Sequence, residues 1–388
     1  MPKRIMTLVL DNHVDTVYKI HRLSRGDIKR YRKNLAEAKY RILVSGSRGK
    51  SGLVEDIYSV LHGRGLDVLG KVTGSKPKIF YRDVTYHIDR GSNPRRFFLD
   101  HENAGIIADF KSDIYCFENQ TISKYTNGYI HFLFKPHIEI IPNLRLEHAE
   151  LGESLEELAH TFGSTLKNVD YAIYAEPIPD NKELIIPILR EYASKFGVEL
   201  RTVDIPYSES MLPGVERVYV LQELLDIMGL PPLTYHEYNE VINRVVWEIK
   251  PKVSSYGFYY VDLSKVNDPD TTNIALEYLK KNYVMNRPIY ILAYFRGDRI
   301  DRTKFFLPFF EKIREDDSIA KVILGGIYYD RVKKILGDKA LEMKKLNMDL
   351  LFREIAREDG FLILAVNGVT FDMDMVRGML APIPQPAL

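Results

Sequence analysis

The chain of 388 residues is 45% apolar and 28% charged, a globular composition with room for more than one domain at roughly 100–200 residues each. Its 54 Lys+Arg against 53 Asp+Glu leave a net charge of +1, which argues against a dedicated nucleic-acid binder and against an acidic disordered chain. A single cysteine, Cys116, excludes an internal disulfide framework and a Cys-rich zinc site and fits a reducing compartment. The first apolar run, residues 5–10, is far short of the roughly 20 residues that span a bilayer, and no secretory signal precedes it, so the expected location is the cytoplasm.

Residues 1–40 read as a basic helical N-terminal segment. Residues 27–40 hold good helix formers and neither Pro nor Gly, and their charge run fits a solvated helix face better than a phosphate or lipid contact. From residue 41 the periodicity changes. Short apolar runs at 41–45, 66–72, 114–118, 137–141, 170–175 and 198–203 alternate with helical patterns at 53–61, 154–167, 181–196, 218–228 and 235–249. This order predicts an α/β domain over 41–250 with a mostly parallel sheet. The polar and aromatic interval 82–113 lacks a clear period and reads as a long loop or small insertion, a length often tied to function.

Pro251 marks a boundary. Beyond it, strand patterns at 257–263, 288–294, 319–324 and 361–366 fall among helical ones at 270–283, 303–314, 328–336 and 349–357. They predict a second, smaller α/β domain over 251–380. Residues 381–388 form a Pro-rich tail with no core to join.

The strongest local signal is Gly46-Ser47-Arg48-Gly49-Lys50-Ser51, after a predicted strand and before a predicted helix. Glycines let the main chain curl so that its N–H groups face phosphate, and the helix start adds a positive dipole. Lys50 suits β/γ-phosphate charge and the Ser51 hydroxyl suits Mg²⁺. Val44 stands where the standard loop has its first glycine, so this loop is a shorter variant. After the next strand, Lys71 to Lys78 offers hydroxyls, a glycine and lysines for an anion, or simply a solvated loop. Glu118 ends a third strand, where parallel sheets place ligand groups, and is a candidate Mg²⁺ carboxylate. Asn143 to Glu150, after a fourth, gathers His148 with two carboxylates.

In this order the motifs resemble the Mur ligases, and more closely the catalytic, Mur-ligase-like subunit of poly-γ-glutamate synthase. Residues 40–51 resemble that family's phosphate loop, and Lys71-Val72-Thr73-Gly74-Ser75 resembles its K-T-T-G-T. Residues 116–120 resemble its V-x-E-C-M, with Asn119-Gln120 replacing Cys-Met. Asn143 with Glu147, His148 and Glu150 resembles its N-x-x-x-D-H-x-D. In the second domain, residues 266–272 and 295–303 resemble its A-N-D-P-x-S-T and C-R-x-D-R-x-D-R-T. The similarity spans residues 25 to 330. Mur ligases also carry a carbamylated lysine after the histidine; here Thr161-Phe162-Gly163-Ser164 stands in that neighbourhood.

The resemblance implies a P-loop Mur-ligase-like central domain followed by a Rossmann-like domain, and an ATP-dependent ligase that activates a carboxylate as an acyl phosphate and joins it to an amino acid. Glutamate and a γ-glutamyl polymer are the implied substrates. ATP would be held by Gly46, Ser47, Arg48, Gly49, Lys50, Ser51 and Asn143, with Arg299 and Arg302 meeting the nucleotide or the amino acid. Mg²⁺ would be held by Ser51, Glu118 and His148, and Lys50, Glu118 and His148 would carry catalysis. Lys71, Thr73, Ser75, Asn267 and Asp268 are the implied substrate contacts. The altered Asn119-Gln120 pair is expected to bear on substrate contacts too. Small membrane-protein partners, and through them a peripheral membrane location, follow by family analogy, and a homo-oligomer is left open. Two other readings stay open at this point: a Mur-type ligase for another amino acid and carboxylate, and a non-catalytic nucleotide-binding scaffold or switch.

Overall fold

Runs such as Ile42-Leu43-Val44 are wholly buried, as parallel strands must be when helices cover both faces of a sheet. The computed structural model describes residues 5–10, 13–74, 76–91, 99–206, 208–366 and 370–381. It divides the chain into two α/β units: residues 1–144, 150–206 and 214–241, and residues 145–149, 207–213 and 242–388.

In chain order the elements up to the division are β1 (Ile5–Leu10), β2 (His13–Lys19), α1 (Arg25–Glu37), β3 (Tyr40–Val44), α2 (Lys50–Gly63), β4 (Val68–Val72), β5 (Lys78–Tyr81) and β6 (Val84–Asp89). There follow α3 (Leu99–Asp109), β7 (Ile114–Glu118), α4 (Lys124–Phe134), β8 (Ile138–Ile141), α5 (Leu155–Gly163), β9 (Tyr171–Ala175), α6 (Pro179–Phe196), β10 (Glu199–Val203), α7 (Val215–Ile227) and α8 (Tyr235–Glu248). The ten strands form one sheet in the order β1-β2-β6-β5-β4-β7-β3-β8-β9-β10. Neighbours from β4 to β10 are parallel, while β4, β5 and β6 run antiparallel in sequence. The mixed half thus sits on one side of β4 and the parallel half on the other.

One expectation is corrected here. Residues 5–19 are not helical: β1 and β2 pair antiparallel, and β2 joins β6 in parallel. Buried Tyr18 fixes β2, its hydroxyl donating to Asp109 Oδ2 at 3.0 Å and its ring packing on Phe110. Helix α1 follows where a Ser24–Asp27 capping box satisfies its first N–H groups. The interval 82–113, expected as a long loop or small insertion, contributes β6 and α3 among its described residues. Helix α3 escaped the periodic reading because residues 102–108 are buried consecutively, so no polar face marks its turns.

The second unit holds β11 (Lys252–Val253), β12 (Tyr259–Asp262), α9 (Pro269–Leu279), β13 (Ile289–Phe295), α10 (Ile300–Phe305), α11 (Leu307–Arg314), β14 (Ile319–Gly326), α12 (Asp330–Leu336), β15 (Ala340–Glu342), α13 (Met348–Arg357), β16 (Phe361–Val366) and α14 (Phe371–Leu380). Its sheet order is β11-β12-β16-β13-β14-β15, parallel except for β11. One face packs on α9, α11 and α12 through Leu276, Phe310 and Val332, the other on α13 and α14 through Ile355 and Met373. The predicted Pro-rich tail lies outside the described residues from Pro382 onward. Among the described residues, no helix is long and apolar enough to cross a membrane.

Candidate functional site

Strands β4, β7, β3 and β8 lie side by side and in parallel, so the segments leaving their carboxyl ends are neighbours. The first of these segments is the glycine loop after β3. Gly46 and Gly49 both take left-handed backbone, at φ +87° and +76°, which glycine alone adopts without strain. Gly46 has a second constraint: a Cβ there would lie 2.7 Å from the Asn143 carbonyl oxygen. Gly49 is the N-cap of α2 and gives no side-chain cap, so the first turn from Lys50 presents N–H groups that a helix cannot satisfy internally. That is an anion site by construction.

Asn143, at the end of β8, clamps this loop. Its carbonyl accepts from Ser47 N–H at 3.1 Å and its Oδ1 from Arg48 N–H at 2.9 Å. Its Nδ2 donates to Glu216 Oε1 at 3.1 Å. The structure thus places Asn143, expected at the nucleotide, against the loop itself, with the N–H groups of Ser47 and Arg48 turned to it. Lys50 Nζ donates to the Gly46 and Ser47 carbonyls at 2.8 Å each.

Ser51 and Glu118 come together. The Ser51 hydroxyl is 3.0 Å from both Glu118 carboxylate oxygens, and Thr73 N–H donates to Glu118 Oε2 at 2.7 Å. Three segments, from β3, β7 and β4, thus meet at one buried carboxylate. A hydroxyl beside a carboxylate is an oxygen-only donor set that suits a hard cation such as Mg²⁺.

Lys71 behaves otherwise than expected. It is 1% exposed, and its Nζ lies 2.8 Å from Glu102 Oε1 and 2.7 Å from Asn103 Oδ1, over the Phe117 ring. Arg90 grips the same carboxylate through Nε and Nη2, at 2.8 and 3.0 Å, and also reaches Thr73 Oγ1 and the Gly74 carbonyl. Burial alone would raise the Glu102 pKa, but the two cations outweigh it and hold it below the usual carboxylate value. The structure thus places Lys71 on Glu102 and Asn103, and the Thr73 N–H on Glu118. Ser75 lies outside the described residues.

Glu102→Ala should cost about 3–5 kcal/mol, since it strands a buried ammonium, and denaturant unfolding will show it. For wild type the contribution stands above the carboxylate's unfolded pKa and is lost as pH falls through its lowered folded value. An unfolding midpoint unchanged by the substitution contradicts this assignment.

Sequence reasoning missed the start of α7, where Glu216 receives Asn143. Arg217 pairs with buried Asp56 and lies across Gly52, where a Cβ would meet its Nη2 at 2.6 Å. The one local signal was an acid–base pair just after Pro213-Gly214. Asn119, expected to bear on substrate contacts, is wholly buried, its amide turned inward to Ser45 and Asn127.

Within the second unit, Glu147 Oε1 accepts from Arg302 Nη2 at 3.2 Å and lies 3.4 Å from His148 Nε2. Asp268, an expected substrate contact, is the N-cap of α9, accepting from Thr271 N–H at 2.7 Å. Asn267 and Arg299 are half-buried.

Residues 251–377 match the family described as "Poly-gamma-glutamate synthase CapB C-terminal domain". The PGA synthase CapB of Bacillus subtilis (strain 168) is 24% identical over 307 residues, covering 73% of this chain and 75% of that protein. Among solved structures, E. coli FolC in complex with ADP superposes with a TM-score of 0.62 at 12% identity, covering 92% of this chain and 95% of that one. The MurF ligase of Thermotoga maritima in complex with ADP does so with a TM-score of 0.61 at 11% identity, covering 91% and 82%. In fold the chain is thus Mur-ligase-like along most of its length, and in sequence it resembles the poly-γ-glutamate synthases.

Proposed function

We infer that the protein is an ATP-dependent ligase that activates a carboxylate as an acyl phosphate and joins it to an amino acid, extending a γ-glutamyl chain with glutamate. The observation that carries this reading is the Ser51–Glu118 pair beside the Lys50 loop, and the similarity to PGA synthase CapB supports glutamate as the amino acid.

The loop and the start of α2 bind the phosphates, and Lys50 follows their charge. Ser51 and Glu118 would hold Mg²⁺, with Thr73 N–H fixing the Glu118 carboxylate. When bound, the cation neutralises phosphate charge as the γ-phosphoryl group moves. A carboxylate oxygen of the chain end attacks the γ-phosphorus and ADP leaves. The amine of the incoming amino acid then adds to the acyl carbon, and phosphate departs with that carboxylate oxygen. Positioning and charge neutralisation are what the protein supplies to the first step. His148, Asn267, Arg299 and Arg302 are the second unit's candidates in this reading, guanidinium being suited to carboxylate and phosphate alike. A cytoplasmic enzyme drawn to the membrane by a small membrane-protein partner belongs to the same proposal.

Purified protein with Mg-ATP should release phosphate only when glutamate and a γ-glutamyl acceptor are both present, and mass spectrometry should show the chain lengthened by one glutamate. Phosphate release indifferent to the amino acid, or a product built from a different one, contradicts the reading.

A further inference from the structure

A buried ion pair in the first unit has no part in the chemistry above. His131, in α4, and Glu139, in β8, are 3% and 0% exposed, with His131 Nε2 2.9 Å from Glu139 Oε2. Burial alone would lower the imidazole's pKa, but the adjoining carboxylate outweighs it and the pKa is raised. Removing two charges from water is costly, and such a pair is weak evidence for stability. Its place in the fold says more.

The other Glu139 oxygen accepts from Ser45 Oγ at 2.6 Å. Ser45 is the residue between β3 and the glycine loop, and its N–H donates to the Ile140 carbonyl at 2.8 Å. Asn119 Nδ2 donates to the same Ser45 Oγ, and to Asn127 Oδ1, at 3.0 Å each. Asn119 directly follows Glu118, and its own N–H donates to the Val44 carbonyl at 2.8 Å. Two residues further, Thr121 Oγ1 donates to the Gly46 carbonyl at 3.0 Å. Besides a long contact from Thr165 Oγ1 to Glu139 Oε2 at 3.5 Å, the pair therefore reaches the entry to the phosphate loop and, through Ser45, the segment leaving the Glu118 strand.

We propose that His131 and Glu139 are positioning residues that act through Ser45 and Asn119 to hold the phosphate loop against the end of β7, and so set the affinity for nucleotide and its metal. A carboxylate anchored on one side by an imidazole cannot rotate away from Ser45, which makes the loop entry rigid. Asn119 then fixes the Glu118 segment to the same hydroxyl. The inference rests on the reading of this loop as a nucleotide site.

The test is ADP–Mg²⁺ titration calorimetry, with KM measured separately for ATP and for the amino acid. Ser45→Ala and Glu139→Ala should weaken ADP and raise the ATP KM roughly tenfold, the range of one lost hydrogen bond to a charged group. The amino-acid KM should stay unchanged. Glu139→Gln keeps an acceptor for Ser45 and a donor for a neutral His131, and should recover most of the loss. Should Glu139→Ala fail to fold, Ser45→Ala decides alone, because it leaves the ion pair intact. Wild-type ADP affinity in Ser45→Ala, or an equal rise in both KM values without recovery in Glu139→Gln, overturns the proposal. A wild-type protein that binds no ADP overturns the nucleotide reading instead, and with it the basis of this one.

Discussion

Lys50→Ala should lower turnover by at least about 10³-fold, the scale of removing a charge that stabilises a transferring phosphoryl group. The ammonium rests on the Gly46 and Ser47 carbonyls at the mouth of the loop, where the proposed reading has it meet phosphate charge. Half-buried Lys50 holds no core together, so the variant should unfold at nearly the wild-type temperature. Acceptor-dependent phosphate release measures the effect, and wild-type rates in a folded variant contradict the loop assignment.

Glu118→Gln should raise the Mg²⁺ concentration needed for half-maximal activity by at least about 10–100-fold, the range seen even for residues that only orient metal ligands. The substitution keeps an oxygen for Thr73 N–H and Ser51 Oγ while removing the charge, which separates metal binding from folding. A magnesium titration reads it directly. An unchanged requirement would mean that the 3.0 Å Ser51–Glu118 contacts are a structural hydrogen bond and nothing more.

The glycine loop's backbone was legible because it is local: two glycines between a strand and a helix define its curl. Glu118 was legible by position, since a strand end in a parallel sheet is where ligands are met. The partners of Lys71, Asn143 and Asp268 within the fold were not legible, for one reason. A polar side chain advertises what it can bind, but only the fold says what it does bind. Lys71 meets Glu102 across the sheet, Asn143 meets the loop and Glu216, and Asp268 caps its own helix. Glu102 in turn sits on α3, whose consecutive burial erased the pattern that would have revealed a helix. The hairpin of β1 and β2 was missed because residues 1–40 were judged by their most basic helical stretch. The alternating strand closing on Val17 and Tyr18 needs β6 as a partner before it means anything.

The same distinction governs the chemistry. In the proposed reading Lys50, Ser51 and Glu118 meet phosphate or metal, while Asn143, Thr73, Ser45, Asn119, His131 and Glu139 hold the segments that carry them. Substitutions in the first group should change rates at constant stability, and substitutions in the second should change affinity or stability together with rate.

The central claim is that the carboxylate itself takes the phosphoryl group. Supplying the γ-glutamyl acceptor with ¹⁸O in its terminal carboxylates and analysing the released phosphate by mass spectrometry tests this most directly. The account predicts one ¹⁸O atom transferred into each phosphate, because the acyl–oxygen bond breaks when the amine adds. Phosphate that carries no label while amide product accumulates would show that the carboxylate is never phosphorylated and would contradict the account.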